Sequence, residues 1–68
     1  SRYLSKPRME RLKFCLERRR RSFYSIYGGF PAEVQELLNQ ANDAVQSESP
    51  DAALKVNEAI GAMKQGFL

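Results

Sequence analysis

Two breaks rich in glycine and proline divide this chain into three segments, and they constrain its fold more than any other feature. Gly28 and Gly29 stand shortly before Pro31, and Ser49 stands directly before Pro50. Glycine adopts the left-handed conformation that ends many helices, and proline fits the first turn of a helix because an N–H there would have no partner. The breaks therefore predict three helices, at about residues 7–27, 31–46 and 50–65.

The starts of the predicted helices follow from the same residues. We expect Pro7 in the first turn of the first helix, with Ser5 as a candidate N-cap. Pro31 opens the second helix. Ser49 caps the third helix, and Pro50 is its first helical residue. The short linkers between the segments are typical of antiparallel neighbours in a helical bundle.

Apolar residues recur at steps of three and four in each segment, as one buried helix face requires. In the second segment they are Val34, Leu37, Leu38, Ala41, Ala44 and Val45. In the third they are Ala53, Val56, Ile60, Met63 and Phe67, flanked by Leu54 and Ala59. In the first they are Met9, Leu12, Leu16, Phe23, Ile26 and Tyr27, with Cys15 at the margin as a small apolar filler.

The fold class that follows is all-α, with a single domain over residues 1–68. The helices form either a three-helix bundle or a long basic helix packed on an antiparallel helical hairpin. A chain of 68 residues buries a smaller share of its surface than a larger domain, so its stability as a monomer is marginal. Its one cysteine cannot form an internal disulfide, and it has no histidine to bind zinc. We therefore expect self-association, most simply as a dimer.

Gly61 is an irregularity inside the third predicted helix. Glycine lowers helix stability by about 1 kcal/mol relative to alanine. Two explanations fit: close approach of a neighbouring helix, or simple tolerance of the residue.

The charge of the chain is concentrated in its first half. Residues 1–30 contain nine Lys or Arg and two Glu, a net charge of +7, whereas residues 31–68 contain two Lys and six Asp or Glu, a net charge of −4. Such asymmetry indicates an acidic partner, although a basic helix packed on an acidic hairpin of the same fold would also produce it.

The surface of the first helix combines arginine with aromatic residues. At 100° per residue, Arg11, Phe14, Arg18 and Arg21 follow one line opposite the apolar arc. A second line comprises Lys13, Glu17, Arg20 and Tyr24. The candidate nucleic-acid-binding residues are Arg11, Lys13, Arg18, Arg20 and Arg21. The candidate interface residues are Phe14, Tyr24 and Phe67. Three explanations fit Phe14: it packs against a second subunit, it lies beside a ligand or partner, or it is an ordinary exposed aromatic residue.

Two functions of different classes fit this surface. The first is a small, dimeric module that binds the phosphate backbone of a nucleic-acid duplex, since guanidinium groups match phosphate geometry and released counterions favour binding. The second is a protein-interaction or assembly domain, whose basic face pairs with an acidic protein surface or with a second copy. The sequence does not distinguish DNA from RNA.

An enzymatic function is not expected. The chain has no histidine, no glycine-rich phosphate loop and no two carboxylates placed to share a reaction. We therefore predict no catalytic residue, no metal site and no cofactor. No apolar run approaches the roughly 20 residues that a membrane span needs, and a lone cysteine favours an intracellular location.

Overall fold

A computed structural model describes the backbone of residues 2–65 and the side chains of residues 7–65, and it confirms the all-α fold class. Within residues 2–65 there are three packed helices and no strand: α1 (Arg2–Tyr27), α2 (Ala32–Gln46) and α3 (Ala52–Gln65). The molecule measures 42 × 17 × 16 Å. At 1.5 Å per residue, α1 is about 39 Å long and sets the long dimension. None of the helices in this part of the chain is both long and apolar enough to cross a membrane.

The centre of the core lies between α2 and α3. As predicted, α2 buries Val34, Leu38, Ala41, Ala44 and Val45. The buried residues of α3 are Ala52, Val56, Ala59 and Met63. The predicted face of α3 is therefore rotated from the real one: Ala53 and Ile60 are only partly buried and Leu54 is exposed. Ala52 and Ala59 are fully buried, and a pattern of large apolar residues does not reveal that these small side chains face the core.

α1 covers this core with one narrow stripe. Leu16 and Phe23 are buried, and Met9 and Leu12 pack partly against the core. Ile26, by contrast, is 71% exposed. The prediction that it belongs to the apolar arc is wrong, because it lies about 80° around the helix from Leu16, at the edge of the stripe.

Cys15 is exposed, so the prediction that it is an apolar filler is also wrong. It lies about 100° around the helix from Leu16, which places it beside the buried stripe rather than within it.

All three helices begin at other residues than those predicted. α1 begins at Arg2, so Ser5 and Pro7 both lie inside the helix. The predictions that Ser5 is the N-cap and that Pro7 lies in the first turn are therefore wrong. The missing N–H of Pro7 removes a single backbone hydrogen bond close to the helix start. Pro31 is the N-cap of α2 and not its first helical residue, since the helix begins at Ala32.

α3 begins after a turn that contains Pro50, which therefore precedes the helix instead of opening it. The Ser49 hydroxyl donates a hydrogen bond to the Asp51 carboxylate. The backbone N–H of Asp51 donates in return to Ser49 Oγ, at 3.5 Å. The hydrogen bond from Ser49 lowers the pKa of the Asp51 carboxyl below its ordinary value.

The first two helices end in left-handed residues of different kinds. Gly28 has φ +75°, and its N–H donates to the Tyr24 carbonyl at 2.7 Å. Glu48 has φ +54° although it is not glycine. Its N–H donates to the Val45 carbonyl at 3.1 Å, and the N–H of Ser49 donates to the Ala44 carbonyl at 2.9 Å. This is a Schellman motif with glutamate at the position where glycine is preferred.

Candidate nucleic-acid interface on α1

Four residues of α1 form what we call the outer face. Arg11, Phe14, Arg18 and Arg21 are all exposed. At 100° per residue they fall within an arc of about 80°, centred opposite the buried residue Leu16. Because the opposite side of α1 packs against the core, this face is directed towards the solvent. The outer face brings together Arg11, Arg18 and Arg21, three of the five residues that the sequence predicts to contact nucleic acid.

Phe14 lies at the centre of the outer face and is 68% exposed. Its ring borders a shallow, open depression lined entirely by α1, by the side chains of Glu10, Lys13, Phe14, Glu17, Arg18 and Arg21. Lys13 thus lies next to the outer face. A large aromatic side chain surrounded by charged groups has no part in the core of this chain.

Arg20 is engaged with its own helix. Its Nε donates to Glu17 Oε1 at 2.7 Å and its Nη2 donates to Glu17 Oε2 at 3.2 Å. The hydrogen bond from Arg20 lowers the pKa of Glu17, and the positive charges of Arg20, Arg21 and Lys13 contribute in the same direction. The same bond raises the pKa of Arg20. Arg20 lies on the flank of α1 between the outer face and α2, where it lines one depression with Arg21 and another with Leu38.

The run of four arginines is therefore divided among three sides of the helix. Arg18 and Arg21 belong to the outer face. Arg20 lines a groove together with Leu38 of α2, and Arg19 lines one together with Met63 and Lys64 of α3. Consecutive residues are 100° apart, so such a run cannot form one stripe.

The other two predicted interface residues lie away from Phe14 or outside the described part of the chain. The ring of Tyr24 packs against Phe30 with 5.8 Å between ring centroids. The Phe23 ring contacts both Phe30, at 5.6 Å, and Tyr27, at 4.4 Å. This aromatic cluster is not among the features predicted from the sequence. The spacing of Phe23 and Tyr27 by four residues does indicate that their rings lie on the same side of the helix. Phe67 lies outside the described residues.

The acidic residues of the second half of the chain lie on other surfaces. Glu36 and Asp43 are exposed on α2, about 180–200° around the helix from the buried Val34. Glu58 is exposed on α3 and lies 4.0 Å from Lys55. None of these carboxylates pairs with a residue of the outer face.

Comparisons with known proteins give no match to the chain among protein-family models, curated proteins or solved structures. Among the described residues, no three potential metal ligands cluster together.

Proposed function

We propose that this chain is a nucleic-acid-binding module that contacts the phosphate backbone through the outer face of α1. One observation supports the proposal most directly. Arg11, Arg18 and Arg21 are exposed on the side away from the core, and none of them forms an ion pair with a carboxylate of residues 7–65. Their guanidinium groups are available to an external anion.

The chemistry of arginine suits a phosphate chain. The planar guanidinium presents paired N–H donors that match two phosphate oxygens, and it gives up its hydration more easily than an ammonium group does. Each phosphate that is neutralised releases condensed counterions, which favours binding whatever the base sequence. The three arginines of the outer face and the adjacent Lys13 together provide cations for about four phosphates.

The length of the outer face agrees with that number. Arg11 and Arg21 are ten residues apart, or about 15 Å along the helix axis. Phosphates on one strand of B-form DNA advance by about 3.4 Å each along the axis, so this distance corresponds to about four of them. We therefore expect log affinity for a duplex to fall with log salt at a slope of about −3 to −4.

The test is fluorescence anisotropy with short labelled oligonucleotides, single-stranded and double-stranded, at several NaCl concentrations. Two substitutions provide a matched comparison, Arg18→Gln on the outer face and Arg19→Gln on the flank towards α3. Both remove the same charge from adjacent positions of the same helix. Arg18→Gln should weaken binding and reduce the salt slope by about 1, and Arg19→Gln should change both much less.

Two results would contradict the proposal. One is the absence of binding to either oligonucleotide at low salt. The other is an equal loss of affinity for both variants, which would mean that net charge matters and the outer face does not. Circular dichroism of each variant verifies that α1 is intact.

The exposed aromatic residue favours a second candidate function, a protein-interaction or assembly domain that uses the same basic face. A partner with an acidic surface, including the Glu36 and Asp43 side of a second copy, would complement it in charge. Sedimentation equilibrium over a range of protein concentrations tests the second-copy form of this function. A mass that rises with concentration and falls at high salt would support it.

A further inference from the structure

Phe14 is the one residue of the outer face that phosphate binding does not explain. Arginine lies about one helical turn away on either side, at Arg11 and Arg18. An exposed ring adds nothing to counterion release, and leaving a side chain of this size in water is unfavourable. The ring has no hydrogen-bonding atom, so it cannot form hydrogen bonds with the edge of a base. It can offer only its apolar faces.

A second copy of the chain is a poor binding partner for the exposed ring of Phe14. In a two-fold dimer centred on Phe14, the same face of both chains meets itself. Arg11, Arg18 and Arg21 of one chain would then lie close to the same three arginines of the other. Glu17 is already bound by Arg20 on the flank, which leaves Glu10 as the nearby carboxylate with which to offset that repulsion.

A duplex is also a poor occupant. Its bases already stack on one another, so the ring could contact a base face only after a base step is opened, at a cost of a few kcal/mol. In a single strand the base faces are accessible without that cost. Stacking of an unpaired base on an aromatic side chain contributes about 1–3 kcal/mol per base and is tolerant of sequence.

We infer that the outer face binds single-stranded nucleic acid, with the phosphates on Arg11, Arg18 and Arg21 and an unpaired base stacked on Phe14. This inference rests on the proposed function and adds the form of its ligand. The cations bind the backbone on both sides of the ring, and the ring accepts the base between them. The substrate class is a flexible strand with unpaired bases, either DNA or RNA.

The decisive variants are Phe14→Leu, which keeps an apolar side chain but removes the aromatic face, and Phe14→Tyr, which retains that face. We expect Phe14→Leu to lose between about 5- and 150-fold in affinity for a single strand, the equivalent of one stacked base. Its salt slope should not change, because no cation is removed. Phe14→Tyr should bind like the original protein.

Two probes identify the stacked base directly. A single strand containing 2-aminopurine should change its fluorescence on binding the original protein and Phe14→Tyr, but less with Phe14→Leu. A strand of equal length with abasic positions keeps its phosphates but lacks bases at those positions. It should bind the original protein as weakly as the complete strand binds Phe14→Leu.

The inference and the proposed function fail in different ways. If Phe14→Leu binds a single strand as tightly as the original protein while Arg18→Gln still weakens binding, the inference is overturned and the proposed function stands. Tighter binding to a duplex than to a single strand at the same salt also overturns the inference. If neither form is bound at low salt, both fail. A lower mass of Phe14→Leu in sedimentation would instead place Phe14 between two copies.

Discussion

Glu17 and Arg20 form a forked ion pair in which two guanidinium nitrogens donate to the two carboxylate oxygens, at 2.7 and 3.2 Å. The pair lies on the flank of α1 and both side chains are more than two-fifths exposed. It neutralises the acidic residue closest to Arg21 in sequence. The outer face therefore keeps its positive character although a glutamate precedes the arginines.

Removing this ion pair should raise the pKa of Glu17 but should have little effect on the free energy of unfolding. In Arg20→Gln we expect the pKa of Glu17 to rise towards its ordinary value, since its hydrogen bond from Arg20 is lost. A carboxyl whose pKa is lowered in the folded state stabilises that state above the unfolded pKa, and this contribution disappears as the pH falls through the folded pKa. NMR titration of the Glu17 side chain measures the shift.

The stability change itself should be small, about 0.5 kcal/mol or less at neutral pH, because exposed pairs are screened by water. Chemical denaturation of both proteins at neutral and at acidic pH measures it. A difference that grows as the pH is lowered would contradict this account.

The two leucines at positions 38 and 54 provide a test of the core. Leu38 is buried in α2, whereas Leu54 is 58% exposed on α3. Leu38→Ala should reduce the free energy of unfolding by about 2–5 kcal/mol, through lost burial and the cavity left behind. Leu54→Ala should change it by about 0.5 kcal/mol or less. Urea denaturation measures both, and equal effects would mean that α3 is rotated about its axis.

The left-handed residues at the ends of α1 and α2 should respond in opposite directions. Gly28→Ala forces an ordinary side chain to φ +75°, and it should destabilise the protein by about 1 kcal/mol. Glu48→Gly relieves the same conformation at φ +54° and should stabilise it by up to about 1 kcal/mol. Thermal denaturation of the two variants is the measurement. A loss of stability in Glu48→Gly would indicate that the side chain of Glu48 has another role.

Gly61 should accept a larger residue. A Cβ atom added at this position meets nothing within 4 Å, so the prediction that a neighbouring helix approaches closely here is wrong, and tolerance of the glycine remains as the explanation. Gly61→Ala should raise the free energy of unfolding by about 1 kcal/mol through helix propensity alone. Denaturation in urea checks this, with an unchanged m-value as the sign that the fold is the same.

Cys15 should react in the folded protein. Because its side chain is exposed, a thiol reagent such as Ellman's reagent should modify it without denaturant. Slow modification that accelerates only in urea would mean that Cys15 is covered, either by this chain or by a second copy.

The sequence predicts most reliably where large aliphatic residues alone fill a face. Every large apolar residue predicted for α2 is buried or partly buried, because no other side of that helix competes for the core. In α3, alanines occupy several faces, and only the packing shows that Ala52 and Ala59 face inward. Spacing alone separates Arg18 and Arg21 from Arg19, since it follows from helix geometry.

Other features depend on geometry that no residue type signals. Glu17 could pair with a basic residue three or four positions along the helix, Arg20 or Arg21. That it pairs with Arg20 depends on side-chain conformations. Glu48 occupies a left-handed position because the turn before Ser49 requires one there. The contact of Phe30 with Phe23 depends on the path of the chain after Gly28, which the glycine permits but does not specify.

α1 carries most of the Lys and Arg, whereas α2 has Glu33, Glu36 and Asp43 and no basic residue, and this uneven distribution of charge gives the molecule an electric dipole moment. In the field of any extended polyanion, this dipole turns α1 towards the negative charge before the two surfaces touch. The effect is confined to separations of about 10 Å at 0.1 M salt. The arrangement of the two charged surfaces therefore influences the rate at which productive encounters occur, in addition to the strength of the complex once formed.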